Sequence, residues 1–206
     1  MQPLSDEQLH NLVERTVRQT LGGMINPVPA PVPADPEPPK TVMQAPPTPT
    51  ASNKKVVAIG TDHGGVDLKA ALKADLAEQG YEIIDCGTNT KDAVDYPDIA
   101  LTVAQLVASG KAWRGVVIDG AGIGSCMSAN KVAGVRAAMC YDISTALNSR
   151  EHNDANVLTL GAGLIGTALA KSILKTWLAT EFGGGRHANR VDKIIAIEKS
   201  YLKEGK

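Results

Sequence analysis

From Lys55 to the C-terminus, short apolar β-branched runs alternate with stretches of helical period. Val56–Gly60, Tyr81–Cys86, Val116–Ile118, Val135–Cys140 and Val157–Leu160 predict strands. Val66–Glu78, Ile99–Ser109, the stretch after the glycines through Val132, Ile143–Arg150, Ile165–Phe182 and Arg190–Leu202 predict helices. Strands this short and apolar need cover on both faces, and parallel strands need helical crossovers to supply it. Residues 55–206 are therefore expected to form a Rossmann-like three-layer α/β/α sandwich with a five-stranded parallel sheet. Ligand is expected at the strands' C-terminal ends.

The preceding residues read differently. Over residues 1–24, Leu9, Leu12, Val13, Val17, Leu21 and Met24 recur at helical spacing. Ser5 and Gln8 form a capping-box pair ahead of this stripe, and Gly22-Gly23 is a stop signal. Residues 25–54 hold Pro27, Pro29, Pro31, Pro33, Pro36, Pro38, Pro39, Pro46, Pro47 and Pro49, which exclude helix or central strand and predict an extended spacer. A helix on such a tether suits docking onto another protein; folding back onto its own domain is the alternative.

A formal net charge of −1 over 206 residues and 3% aromatic content give no footing for nucleic acid. No apolar run is long enough to span a bilayer, and no secretory pattern opens the chain, so no membrane partner and a cytoplasmic location are expected. Cys86, Cys126 and Cys140 lack metal-ligand spacing, which predicts reduced thiols and no metal.

Val116 to Lys131 reads VVIDGAGIGSCMSANK, a strand running through three alternating glycines into a helix. Glycine turns expose consecutive backbone N–H groups, and the helix adds its unpaired N–H groups, so the junction suits an anion or a developing oxyanion. Other polar clusters are Thr61-Asp62-His63-Gly64-Gly65, Asp95-Tyr96-Pro97-Asp98, Arg150 to Asn156 and Gly183 to Arg190. All are expected beside the junction. The first turn reads TDHGG rather than GxGxxG, which disfavours a dinucleotide site.

The ordered set TDHGG, DYPD, GAGIG…ANK, REHNDAN and GGRHANR resembles the sugar-phosphate isomerase family of type B ribose-5-phosphate isomerase and galactose-6-phosphate isomerase. The resemblance spans nearly all of residues 55–206. It implies aldose–ketose isomerisation of a phosphorylated sugar, most of all ribose 5-phosphate, through an enediolate and without any cofactor. His152 matches the ring-opening histidine and Asn153 its neighbour, against a structural histidine as the alternative. Asp62 and His63 match substrate contacts, though Asp62 could instead cap the next helix. Tyr96 is expected to line the pocket or pack against the helix that follows. Backbone N–H groups of Gly120, Ala121, Gly122, Ile123 and Gly124 are expected to hold the oxyanion. Arg186 and Arg190, four apart and so on one helix face, match a phosphate clamp contributed across a dimer interface; a solvated charged face is the alternative. A homodimer or homotetramer is implied.

Three positions depart from that pattern. Asp119 stands where many members have a cysteine base; in another branch the base is a glutamate at the position of Ser125. Ala121 replaces a hydroxyl residue, and Gly163 an arginine. One reading makes Asp119 the base, its pKa raised toward neutral by desolvation. The other is a homologue that binds a sugar phosphate without isomerising it. Cys126 is a weaker base by direction. Helix plus linker resembles the encapsulation peptides that load enzymes into bacterial microcompartments, which implies a shell-protein partner for residues 5–22 and a place in the lumen.

Overall fold

The chain divides into two units, Met1–Pro49 and Thr50–Lys206. The computed structural model describes residues 55–201, together with Glu7, a helical position. Apart from Glu7, the helix and linker expected over 1–24 and 25–54 lie outside the described residues.

The order is β1 (Val56–Thr61), a 3-10 turn (His63–Gly65), α1 (Val66–Glu78), β2 (Glu82–Asp85), α2 (Tyr96–Ala108), β3 (Arg114–Asp119), α3 (Ile123–Ala129), β4 (Ala137–Met139), α4 (Ile143–Glu151), β5 (Val157–Gly161), α5 (Thr167–Ala179) and α6 (Arg186–Tyr201). The five strands form one sheet in the order β2-β1-β3-β5-β4, every neighbouring pair parallel. The chain winds outward from β1 to β2 and then returns past β1 to β3. This reversal opens a crevice above the C-terminal ends of β1 and β3.

Both faces of the sheet are covered. Leu68, Leu72 and Leu76 of α1, Ala146 of α4, and Ile173, Leu174 and Trp177 of α5 pack on Val57, Ile59, Val116, Ile118, Leu158 and Leu160. Ala100, Val103 and Ala104 of α2 and Ala129 of α3 cover Ala58, Val117 and Val157 on the other face. Each large apolar side chain buried this way contributes roughly 1.5–3 kcal/mol.

Helix α2 begins three residues earlier than expected because Pro97 sits in its first turn, where a missing N–H leaves no bond unmade. Helix α3 ends at Ala129, short of Val132. There the Asn130 amide donates to the Ala137 carbonyl at 2.9 Å and accepts the Ala137 N–H at 2.9 Å, turning the chain into β4.

At the N-terminal end of the sheet, Arg114 lies between the Trp113 and Trp177 rings, 4.1 and 5.0 Å from their centroids. It donates to the Trp177 and Leu178 carbonyls at 2.7 and 3.1 Å, and Arg150 donates to that of Thr180 at 3.2 Å. The two guanidinium groups thus satisfy the last carbonyls of α5. Burial, with the neighbouring Arg150 charge, lowers the Arg114 pKa to about 10, so it stays protonated at neutral pH.

Candidate active site

The glycine loop sits at the top of β3, above the crevice. Gly122 has φ +79°, open to glycine at little cost. The loop's carbonyls are held from the β5 side: Gly163 N–H donates to Gly120 O at 2.9 Å, and Thr159 Oγ1 to Gly122 O at 2.8 Å. Its N–H groups are held by Asp119. One carboxylate oxygen accepts from Ala121 N at 2.8 Å and from Gly122 N, and the other from Ser125 N at 3.0 Å.

This overturns one expectation. Asp119 is only 4% exposed, and burial pushes its pKa upward, but the hydrogen bonds from Ser125, Gly122 and Ala121 outweigh it. The net shift is downward, so the carboxylate is firmly ionised rather than poised near neutrality. The expected oxyanion cradle is divided as well. Ala121 and Gly122 direct their N–H groups at Asp119, whereas no described acceptor takes those of Gly120, Ile123 and Gly124. Ser125 Oγ is fully buried beside this carboxylate, and among the described residues it has no partner at hydrogen-bond geometry.

The turn after β1 meets the loop. Asp62 N–H donates to Ile118 O at 3.2 Å, and Thr61 Oγ1 to the same carbonyl at 3.0 Å. Asp62 Oδ1 caps the 3-10 turn by accepting Gly64 N–H at 2.9 Å, while Oδ2 has no partner among the described residues. His63 is exposed, its Nδ1 accepting weakly from Val94 N–H at 3.4 Å. The Tyr96 ring lies against Gly124, where a methyl group would overlap ring carbons Cε2 and Cζ. Asp62, His63, Tyr96 and the glycine loop therefore converge. Cys126 is directed elsewhere, its Sγ 3.4 Å from the Ala137 carbonyl.

The remaining candidates are not beside them. His152 and Asn153 follow the C-terminus of α4, and a helix returning from the top of a parallel sheet delivers its last residues to the bottom. Gly183 N–H bonds to Glu151 O at 2.9 Å, and Ala155 lies one residue from Asn156, whose carbonyl accepts the Gly115 N–H at 3.0 Å near the start of β3. The segments REHNDAN and GGRHANR thus sit at the strands' N-terminal ends, contrary to expectation. A six-residue strand puts them roughly 20 Å from the glycine loop of the same chain. The sequence did hold the signal: HN precedes a strand, whereas TDHGG and GAGIG follow one.

At that lower end His152 and His187 stack, ring centroids 4.1 Å apart and planes within 6°. The Asn148 amide nitrogen is 2.8 Å from His152 Nδ1. Arg186 and Arg190 flank the pair, both exposed in the first turns of α6. Sequence reasoning missed His187, although its place between the two arginines marked it, and missed Ser125 as part of the loop's anchorage.

A crevice above a strand reversal, floored by a glycine loop and edged by acid, imidazole and phenol groups, defines an α/β enzyme for a small polar substrate. The family described as Ribose/Galactose Isomerase matches residues 57–194, and the chain belongs to it. Ribose-5-phosphate isomerase B of Escherichia coli is 46% identical over 145 residues, 70% of this chain and 97% of that protein. D-erythrulose-4-phosphate isomerase of Pectobacterium atrosepticum is 43% identical over 139 residues, 67% of this chain and 91% of that one. The solved ribose-5-phosphate isomerase B of Clostridium thermocellum superposes with a TM-score of 0.70 at 53% identity, covering 71% of this chain and 99% of its own. Sugar-phosphate isomerisation is the activity shared by these relatives.

Proposed function

We propose that the chain interconverts ribose 5-phosphate and ribulose 5-phosphate through an enediolate, in sites shared between two copies. The observation that carries this is the glycine loop held in place over the β1–β3 crevice in a member of this family. His152 protonates the ring oxygen and opens the sugar. Asp119, ionised at neutral pH, takes the proton from C2 and returns it to C1. The N–H groups of Gly120, Ile123 and Gly124 face the developing oxyanion, while Ala121 and Gly122 hold Asp119 in position. Asp62, His63, Tyr96 and Asn153 contact the sugar, and Arg186 and Arg190 clamp the phosphate.

The two clusters lie at opposite ends of one sheet, so a complete site takes the loop from one copy and the histidine and arginines from another. The exposed Ile194, Ile197 and Tyr201 of α6 give that second copy an apolar face to cover. Purified protein incubated with ribose 5-phosphate, erythrulose 4-phosphate and phosphorylated hexoses tests the reading. Turnover of ribose 5-phosphate, lost in Asp119→Asn and kept in Cys126→Ala, is the expected result. Binding without turnover on every sugar would instead favour a homologue that only holds a sugar phosphate, which Ala121 and Gly163 make the rival reading.

Among the described residues, no helix is long and apolar enough to cross a membrane. The reading places the enzyme in the bacterial cytoplasm, packaged in a microcompartment through residues 5–22 docked on a shell protein. A reporter fused to residues 1–24 should concentrate in shell particles, and a diffuse reporter in cells making such particles would refute the packaging.

A further inference from the structure

The stacked imidazoles carry an inference that rests on the isomerase reading. Asn148 Oδ1 accepts from Asn153 Nδ2 at 3.3 Å, and the Asn148 carbonyl accepts from the same nitrogen at 3.2 Å. That assigns the Asn148 amide nitrogen as the donor to His152 Nδ1, so neutral His152 carries its proton on Nε2. A group that must give a proton to a ring oxygen needs such an N–H directed outward. The face of the ring is fixed by His187, whose own Nδ1 is buried with no hydrogen-bond partner among the described residues. His187 is itself fixed by the turn at its back, its N–H bonding to Gly184 O at 3.0 Å, while Gly183 is tied to Glu151.

We infer that His187 is a positioning residue, stacking 4.1 Å from His152 and holding it in one ring plane and one tautomer. The charged groups around His187 are Arg186 and Arg190 on α6, which disfavour its protonation, and Glu151 on α4, which favours it. The balance is already visible at His187, where desolvation and the nearby positive groups lower the pKa.

The test uses the full-length protein and its His187→Phe and His187→Ala variants. Phenylalanine keeps the stack; alanine removes it. With four histidines in the chain, nitrogen-15 imidazole spectra can follow His152 from pH 5 to 9. The expected wild-type result is an Nε2–H tautomer, kept in His187→Phe and mixed in His187→Ala. With ribose 5-phosphate, His187→Ala should lose about 10–100-fold in kcat, the cost of a misplaced catalytic group, with KM little changed. His187→Phe should keep kcat within a few fold. An unchanged His152 tautomer in both variants would overturn the inference, as would an equal rise in KM alone, which would make His187 a plain phosphate contact. Should the wild-type protein turn over no sugar phosphate, the isomerase reading fails, while the spectra still decide the pair.

Discussion

Replacing Asp119 by asparagine isolates the device that shapes the glycine loop. Wild-type Asp119 accepts three backbone N–H bonds, from Ala121, Gly122 and Ser125, within a site 4% exposed. Asparagine can keep its oxygen on Ala121 and Gly122, but its NH2 then faces the Ser125 N–H. Losing charge assistance costs about 1 kcal/mol for each retained bond, and orphaning a buried N–H costs about 1–3 kcal/mol. The sum is roughly 3–5 kcal/mol, a large share of a typical domain's stability. In urea titrations at one fixed protein concentration, the midpoint should fall by about 1–3 M. The pH dependence follows from the lowered native pKa: the wild-type advantage is fully present above the unfolded carboxylate pKa of about 4 and is lost as pH falls through the native value. The gap between the two proteins should therefore hold from pH 8 to about pH 5 and close only in stronger acid. Equal stability at pH 7, or a gap that shrinks between pH 7 and 5, would refute the reasoning. Turnover should drop by about 100–10,000-fold in the same variant, measured as ketose formation.

Three further outcomes are expected. Coexpressed Asp119→Asn and His152→Ala chains, each inactive alone, should recover about a quarter of wild-type activity, because both defects of a hybrid dimer fall in one of its two sites; no recovery would mean that each copy builds its own site. Gly124→Ala should lower stability by about 1–3 kcal/mol by pushing the Tyr96 ring aside, and adding Tyr96→Ala should restore part of the loss in a double-mutant cycle. Lys69 is 1% exposed and holds Asp85 at 2.6 Å, the Thr88 carbonyl at 2.8 Å and Asn89 at 2.9 Å. Lys69→Met should cost about 1–3 kcal/mol in chemical denaturation, because the Thr88 carbonyl and Asn89 lose their donor while Lys73 still pairs with Asp85.

Strand and helix identities were legible because β-branched runs and helical periods follow the backbone's own repeat. Val66–Glu78 was placed to the residue, since Gly65 before it and Gly80 after it punctuate the pattern. Boundaries blurred where side chains intervened, as at Pro97 and Asn130. The site was half legible. Residue types and their order marked Asp62, His63, Tyr96 and the glycine loop, which the crevice gathers. Their spatial division from His152, Asn153, Arg186 and Arg190 depended on whether each segment precedes or follows its strand, which residue type alone does not carry. The protonation of Asp119 was misread because desolvation can be argued from sequence, whereas three backbone N–H groups aimed at one carboxylate belong to the folded loop.

The length of β3 between the glycine loop and the histidine pair has a kinetic consequence. With the site shared between two copies as proposed, chemistry turns on only when two chains meet, so a lone folded subunit would be silent and specific activity would fall with dilution. Confinement at high local concentration would then act as an activator of this enzyme, independent of any effect on its substrate.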